Sequence, residues 1–293
     1  MIVVRLAGGM GNQMFQYALG RHLSLKNNVP LKLDTSILLD RTPRRGVKAL
    51  FRNYELDVFS ISASIATKED IPFFSKLHFK GKLGLFLYEL QIKFFSSPGK
   101  EKGKQFQPEV FSLGPQVYLV GYWQNARYFN SIADTIREDF TLKNALSKPC
   151  QDLFYEIKDI SSVCVHVRRT DYVDNPYHGT LGQTYYDRGI EYIARRTVIK
   201  KIYVFSDDIE WCKENLRFPF ETKFVDGECG EKRPEEQLVL MKLCKHFIIP
   251  NSTFSWWAAW LNTNPEKIVI APKRWFLLEE GGEDIVPDTW IRL

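Results

Sequence analysis

The stretch Ser162–Val173, SVCVHVRRTDYV, constrains the fold more than any other part of the chain. In its first half Val163, Val165 and Val167 alternate with Cys164, His166 and Arg168, and the run reads as a buried strand. Its second half sets Arg168, Arg169 and Asp171 directly after the apolar run. A buried strand ending in charge fits an open α/β sheet, where ligands bind outside the carboxyl ends of the strands. Two arginines there suit an anionic ligand, because a guanidinium stays charged and its fork matches phosphate. A solvated charged turn is the simpler alternative. By strand alternation Arg168 shares a face with His166, and Arg169 points the other way.

The rest of the chain repeats the strand–turn–helix pattern. Ile2–Leu6 reads as a strand, AGGMGNQ (7–13) as a glycine-rich turn, and the residues from Met14 as a helix, like the opening of a Rossmann fold. The turn is not GxGxxG. Asp34 follows a second strand, PLKLD, and leaves a dinucleotide reading open. Gly8, Gly9 and Gly11 allow close backbone approach, and Asn12 and Gln13 add amide donors at a helix N-terminus. A plain tight turn is the alternative. Further strands are expected over 116–121, 201–205, 222–225, 247–249 and 267–271. Helices are expected over 127–140, 185–196, 209–215 and 233–244. The chain therefore predicts two domains, 1–148 and 149–293, with Pro149 breaking a helix at the boundary and a tail, 272–293, long enough to cross back.

Several classes are disfavoured by composition. The five cysteines are scattered and contain no CxxC pair, which argues against a disulfide framework or a zinc site and for a reducing, cytoplasmic setting. No apolar run approaches a membrane span, and no leader precedes the first strand. A net charge of +5 is too small to imply nucleic acid. Residues 41–105 hold 13 Lys+Arg against 6 Asp+Glu, however, so the middle of the chain is basic. There Leu83, Phe86, Leu87, Leu90 and Phe94 stand at helical spacing. Core packing is the default for that face. Peripheral contact of 71–95 with an anionic inner membrane surface is the sharper alternative.

Three further strand ends carry polar groups. Tyr122, Trp123 and Gln124 follow the strand at 116–121 and either stack on a polar ligand or plug an aromatic gap. Ser206, Asp207 and Asp208 close KIYVF; Ser206 can cap the next helix, or an aspartate can accept a hydrogen bond from a base or ribose. In NSTFSWWAAWLN (251–262) Ser252 or Thr253 begins a helix with Phe254, Trp257 and Leu261 on its inner face. Free N–H groups and hydroxyls at such a start make an anion site, and plain capping is the alternative.

Taken in order, GGMGNQMFQYALG near the N-terminus, HVRRTDY at 166–172, FSDDIEWC at 205–212 and NSTFSWWAAWL at 251–261 resemble the family-11 glycosyltransferases, the α-1,2-fucosyltransferases, over nearly the whole chain except 41–115. The resemblance implies two Rossmann-like domains facing each other across a cleft (GT-B type), with acceptor bound on the first and donor on the second. It implies inverting transfer of L-fucose from GDP-β-L-fucose to a sugar hydroxyl, usually a galactoside 2-OH, without a metal or other cofactor. The acceptor would be a glycan or lipid-linked oligosaccharide of the O-antigen kind. By the resemblance Arg168 holds the β-phosphate and His166 shares its motif. Asn12 and Gly11 belong to the turn facing the donor. Asn251, Ser252, Thr253 and Phe254 match the helix start at the pyrophosphate, and Asp207 or Asp208 faces the guanosine. Thr170 departs from the glycine common in the family, which puts the path of that turn in question. Transfer of another GDP-sugar, protein O-fucosylation, or glycan binding without catalysis are the competing readings.

Overall fold

In the computed structural model of the protein, residues 1–39, 52–71, 99–230, 233–278 and 282–293 are described. The amphipathic segment expected over Leu83–Phe94 lies outside them, as does the membrane contact expected of 71–95, save at Ile71. The chain divides into two compact units, Met1–Lys143 and Asn144–Leu293.

The first unit is built on β1 (Ile2–Arg5), α1 (Met10–Asn27), β2 (Leu31–Asp34), β3 (Ser64–Ile65), β4 (Val117–Leu119) and α2 (Ala133–Asp139). Its strands are parallel in the order β3-β2-β1-β4. Chain order reverses between β1 and β4, so the switch point of this sheet lies there. The helix α1 packs on β1 through Gly20, where a Cβ would collide with Val4 Cγ2 and come 2.8 Å from Leu31 Cδ1. The helix expected over 127–140 is reduced to α2 and two 3-10 turns, Ala126–Tyr128 and Asn130–Ile132. Asn125 Oδ1 accepts from Arg127 N at 2.9 Å, which favours a separate first turn, and Phe129 at φ −143° interrupts the helical path.

The second unit runs α3 (Lys148–Lys158), β5 (Ser162–Val167), α4 (Gln183–Ala194), β6 (Lys201–Ser206), α5 (Ile209–Asn215), β7 (Thr222–Phe224), α6 (Pro234–Leu243), β8 (His246–Ile248), α7 (Thr253–Leu261), β9 (Val269–Ala271) and β10 (Ile291–Arg292). Its six strands are parallel in the order β10-β9-β8-β5-β6-β7. All six residues of β5 are buried. A strand covered on both faces reads as a continuous apolar run. Val163, Val165 and Val167 pack with Tyr186, Ile190, Ile193, Ile202 and Val204. The switch point lies between β5 and β8. Each unit is therefore an α/β layer structure on a parallel, Rossmann-like sheet.

Four expectations are corrected. Pro149 lies in the first turn of α3, where its missing N–H costs nothing, so it opens a helix rather than breaking one. The tail stays in its own unit, because β10 pairs parallel with β9. Cys150 and Cys229 form a disulfide, with Cα atoms 5.5 Å apart and a sequence separation of 79. No local spacing signals a pair that distant. The helix α7 is buried on nearly all sides, from Ser255 to Leu261, whereas Phe254 is only half-buried.

The Gly20 contact gives a stability prediction. Gly20→Ala gains about 1 kcal/mol of helix propensity but forces an overpacked contact costing roughly 1–3 kcal/mol. Urea unfolding should show net destabilisation. Gly114→Ala, which meets nothing within 4 Å, should be neutral or slightly stabilising. A stabilised Gly20→Ala would show that α1 and β1 have room between them.

Candidate functional site

Both switch points carry the groups that the sequence singled out. In the second unit β5 ends at Val167, so strand alternation no longer governs Arg168 and Arg169. Arg168 Nε donates to Asp171 Oδ1 at 2.8 Å and lies 3.2 Å from Asp207 Oδ2. Its side chain is 22% exposed. Burial works against the charge, but Asp171 and Asp207 outweigh it and raise the guanidinium above its ordinary value. With Nε engaged on carboxylates, the two terminal nitrogens form the edge that could meet an anion.

Asp207 is fully engaged with the chain. Its carboxylate accepts from Arg169 N at 2.8 Å, from Thr170 N at 3.1 Å and from the Thr170 hydroxyl. Thr170 does not have positive φ, so the departure from glycine leaves the turn intact; Asp174, at φ 58°, and Gly179, at φ 65°, are the left-handed residues of this loop. Asp208 caps α5, accepting from Trp211 N, and pairs with Arg169 Nε at 3.1 Å. The expected cap, Ser206, instead accepts from Asp208 N at 2.9 Å. Both aspartates proposed for guanosine thus spend their carboxylates on the β5 turn and on α5. Arg169 sits over Trp211, its Cζ 3.6 Å from the ring centroid, and is a packing residue.

His166 is 2% exposed, and its Nδ1 has no hydrogen-bond partner among the described residues. Burial pushes its pKa down to about 3; Asp207 opposes this and Arg168 adds to it. The ring is therefore neutral at physiological pH and can act as a hydrogen-bonding group but not as a cation. It contacts Phe254 at 5.9 Å between centroids, which brings the end of β5 to the start of α7. Ser252 occupies the N-cap of α7 and is buried, yet makes no side-chain capping bond. The first-turn N–H groups, around Thr253 and Phe254, are thus not taken by its hydroxyl. The Asn251 side chain faces inward to the neighbouring loops.

In the first unit the glycine turn opens α1. Gly8 has φ +79°, and a Cβ there would strike the Asn12 side chain. Gly9 is the N-cap, and Gly11 is buried in the first turn. Asn12 Oδ1 accepts from Gln124 Nε2 at 2.8 Å, joining the first turn of α1 to the loop after β4 across this switch point. Gln16 does the same, donating to Gly121 O and accepting from Ala7 N, both at 3.0 Å. Gln13 is not an outward donor. It is buried, donates to Gly8 O and Asn53 O, and accepts from Glu55 N. Asp34 is 1% exposed and accepts from Tyr118 and Ser36, which occupies the group a ribose would need. Trp123, at φ 54°, is buried, and its backbone N–H and that of Tyr122 donate to the Glu101 carboxylate. Burial raises the Glu101 pKa, and those two N–H groups pull it back. Glu101 carried no sequence signal because its partners are more than twenty residues away.

Among the described residues no helix is long and apolar enough to cross a membrane, and no three His, Cys, Asp or Glu side chains group as metal ligands.

Comparison with known proteins fits this arrangement. The family model "Glycosyl transferase family 11" matches residues 77–293. An α-1,2-colitosyltransferase of Escherichia coli is 36% identical over 100% of this chain and 98% of its own. The O-antigen biosynthesis glycosyltransferase WbnK of Escherichia coli is 32% identical over 98% of this chain and 99% of its own. Human galactoside α-(1,2)-fucosyltransferase 1 is 28% identical over 50% of this chain and 43% of its own. The crystal structure of NodZ α-1,6-fucosyltransferase soaked with GDP-fucose covers 92% of this chain and 94% of its own, at a TM-score of 0.51 and 13% identity, a likeness of fold alone. With a family model matched over most of its length and two relatives above 30% identity aligned end to end, the chain belongs to glycosyl transferase family 11.

Proposed function

We propose that this glycosyltransferase moves L-fucose from GDP-β-L-fucose to the 2-hydroxyl of a galactoside-type glycan, with inversion, to make an α-1,2 linkage. The observation that carries the reading is Arg168, held by Asp171 and Asp207 at the end of β5, a strand whose His166 meets Phe254 at the uncapped start of α7. Breaking the fucosyl–phosphate bond builds positive charge on the sugar and negative charge on the departing diphosphate. A pre-set guanidinium edge and helix N–H groups stabilise that charge more in the transition state than in the ground state. Neutral His166 adds a hydrogen-bonding group without competing charge. Asp171 is engaged with Arg168, and the first unit is proposed as the acceptor side. The E. coli relative named for O-antigen biosynthesis supports a bacterial surface glycan or its lipid-linked precursor as acceptor. A colitosyl donor is the second reading, favoured by the name of the 36% identical relative.

Donor identity is tested by thermal shift. GDP at a hundredfold excess over Kd should raise Tm by about 5 °C, and UDP should leave it unchanged. Equal shifts would remove the guanine assignment. Transfer assays with fucosyl and colitosyl nucleotides would then separate the two sugars.

Cation supply by Arg168 rather than by a metal predicts that transfer survives EDTA. A loss beyond about tenfold, restored by Mn²⁺ or Mg²⁺, would contradict it.

The two arginines should behave differently. Losing two charge-assisted bonds at roughly 1.5–3 kcal/mol each makes Arg168→Ala slower by about 10² to 10⁴. Arg168→Lys should not restore the rate, since an ammonium lacks the planar fork. Arg169→Ala should lower Tm and leave the rate of the folded enzyme within about tenfold, because its contacts are Asp208 and Trp211. Rates with saturating donor decide it: an Arg168→Ala enzyme keeping a tenth of wild-type turnover would end the phosphate role.

A further inference from the structure

We propose that Asn251 is a positioning residue: its amide ties together the three loops that leave β5, β8 and β9, and so sets the donor-binding edge without touching the donor. The inference rests on the donor site proposed above and assigns to Asn251 a role different from direct contact with the pyrophosphate.

The residue is 5% exposed and follows β8. Its Nδ2 donates to His178 O at 3.0 Å, in the loop after β5, and to Trp275 O at 3.0 Å, in the loop after β9. Both acceptors are carbonyls, so only the nitrogen of the amide can face them, and both of its donor hydrogens are spent. The backbone carbonyl of Asn251 accepts in turn from Tyr172 Oη at 3.0 Å. The Tyr172 ring stacks flat on His178, with centroids 4.4 Å apart and planes 8° apart. The Arg168 guanidinium lies 5.8 Å from the centroid of the same Tyr172 ring. The two outer loops also bond to each other, Leu277 N to Tyr177 O at 2.9 Å. In the sheet the order is β9-β8-β5, so these are the loops of three adjacent strands, and two of them flank the switch point. One small buried amide thus links the backing of Arg168 to the start of α7.

Only an amide fits. A carboxylate of the same size has no donor and would set its charge against two carbonyls; alanine would remove the donor that both carbonyls share. Displacement of a site by a fraction of an ångström is felt in binding and rate even when the mutated group touches no ligand.

The test measures Kd for GDP by titration calorimetry, and Tm, on wild type, Asn251→Asp, Asn251→Ala and Tyr172→Phe, at a temperature where each is folded by circular dichroism. For both Asn251 variants the expected result is a Kd raised about ten- to hundredfold. Tyr172→Phe, which keeps the ring and loses one bond, should raise it about two- to tenfold. A merely structural amide would lower Tm while the folded variants bind GDP within about twofold of wild type, and that result overturns the proposal. Should the Asn251 variants fail to fold, Tyr172→Phe decides alone: an unchanged Kd overturns the clamp. If wild type binds another nucleoside diphosphate in place of GDP, the donor assignment fails and the same comparison, run with that nucleotide, judges the clamp. If it binds none, both fall.

Discussion

A guanidinium held 22% exposed at a strand end needs counter-charge, and the geometry of the second unit's site follows from how that need is met. Asp171 supplies it from within the same turn, three residues on. Asp207 supplies it from the end of β6, nearly forty residues away, while also accepting two backbone N–H groups and a hydroxyl of the β5 turn. One carboxylate therefore fixes the backbone of the turn and the side chain it presents. Its location depends on the parallel pairing of β5 with β6, which sets Val167 opposite Ser206.

The same logic operates in the first unit with neutral groups. There the strand order reverses between β1 and β4, and side-chain amides of α1 tie its start to the loop after β4: Gln16 to Gly121 and Asn12 to Gln124. Amides suit this task because each can donate and accept in one plane. The difference between the units is chemical. The second offers a charged fork, a neutral buried imidazole and a helix start. The first offers side-chain amides, with Arg52, Glu55 and Glu101 nearby.

Much of the architecture was legible in the chain because parallel strands and their covering helices have strong local periods. β5, β6 and α5 fall where apolar runs and helical spacing place them, within a residue. The errors cluster where local pattern competes with a distant partner. Ser206 looked like a cap, but Asp208 is the cap because Ser206 is used to hold Asp208 N. Gln13 looked like an outward donor and is buried against Asn53 and Glu55, forty residues on. Arg169 was placed by strand alternation, yet the strand had already ended, and Trp211 took its guanidinium.

The sequence by itself determined the α/β class, the alternation of two parallel sheets, and the four motifs at strand ends, since each is written within a window of a dozen residues. Tertiary structure alone decided which internal partners those polar side chains take. Asp207, Asp208 and Asn251 read as ligand contacts in isolation. In the folded chain their hydrogen bonds go to the β5 turn, to α5 and to two neighbouring loops. The reason is that a buried polar group must find a partner, and which partner reaches it is set by strand order, which no local pattern encodes.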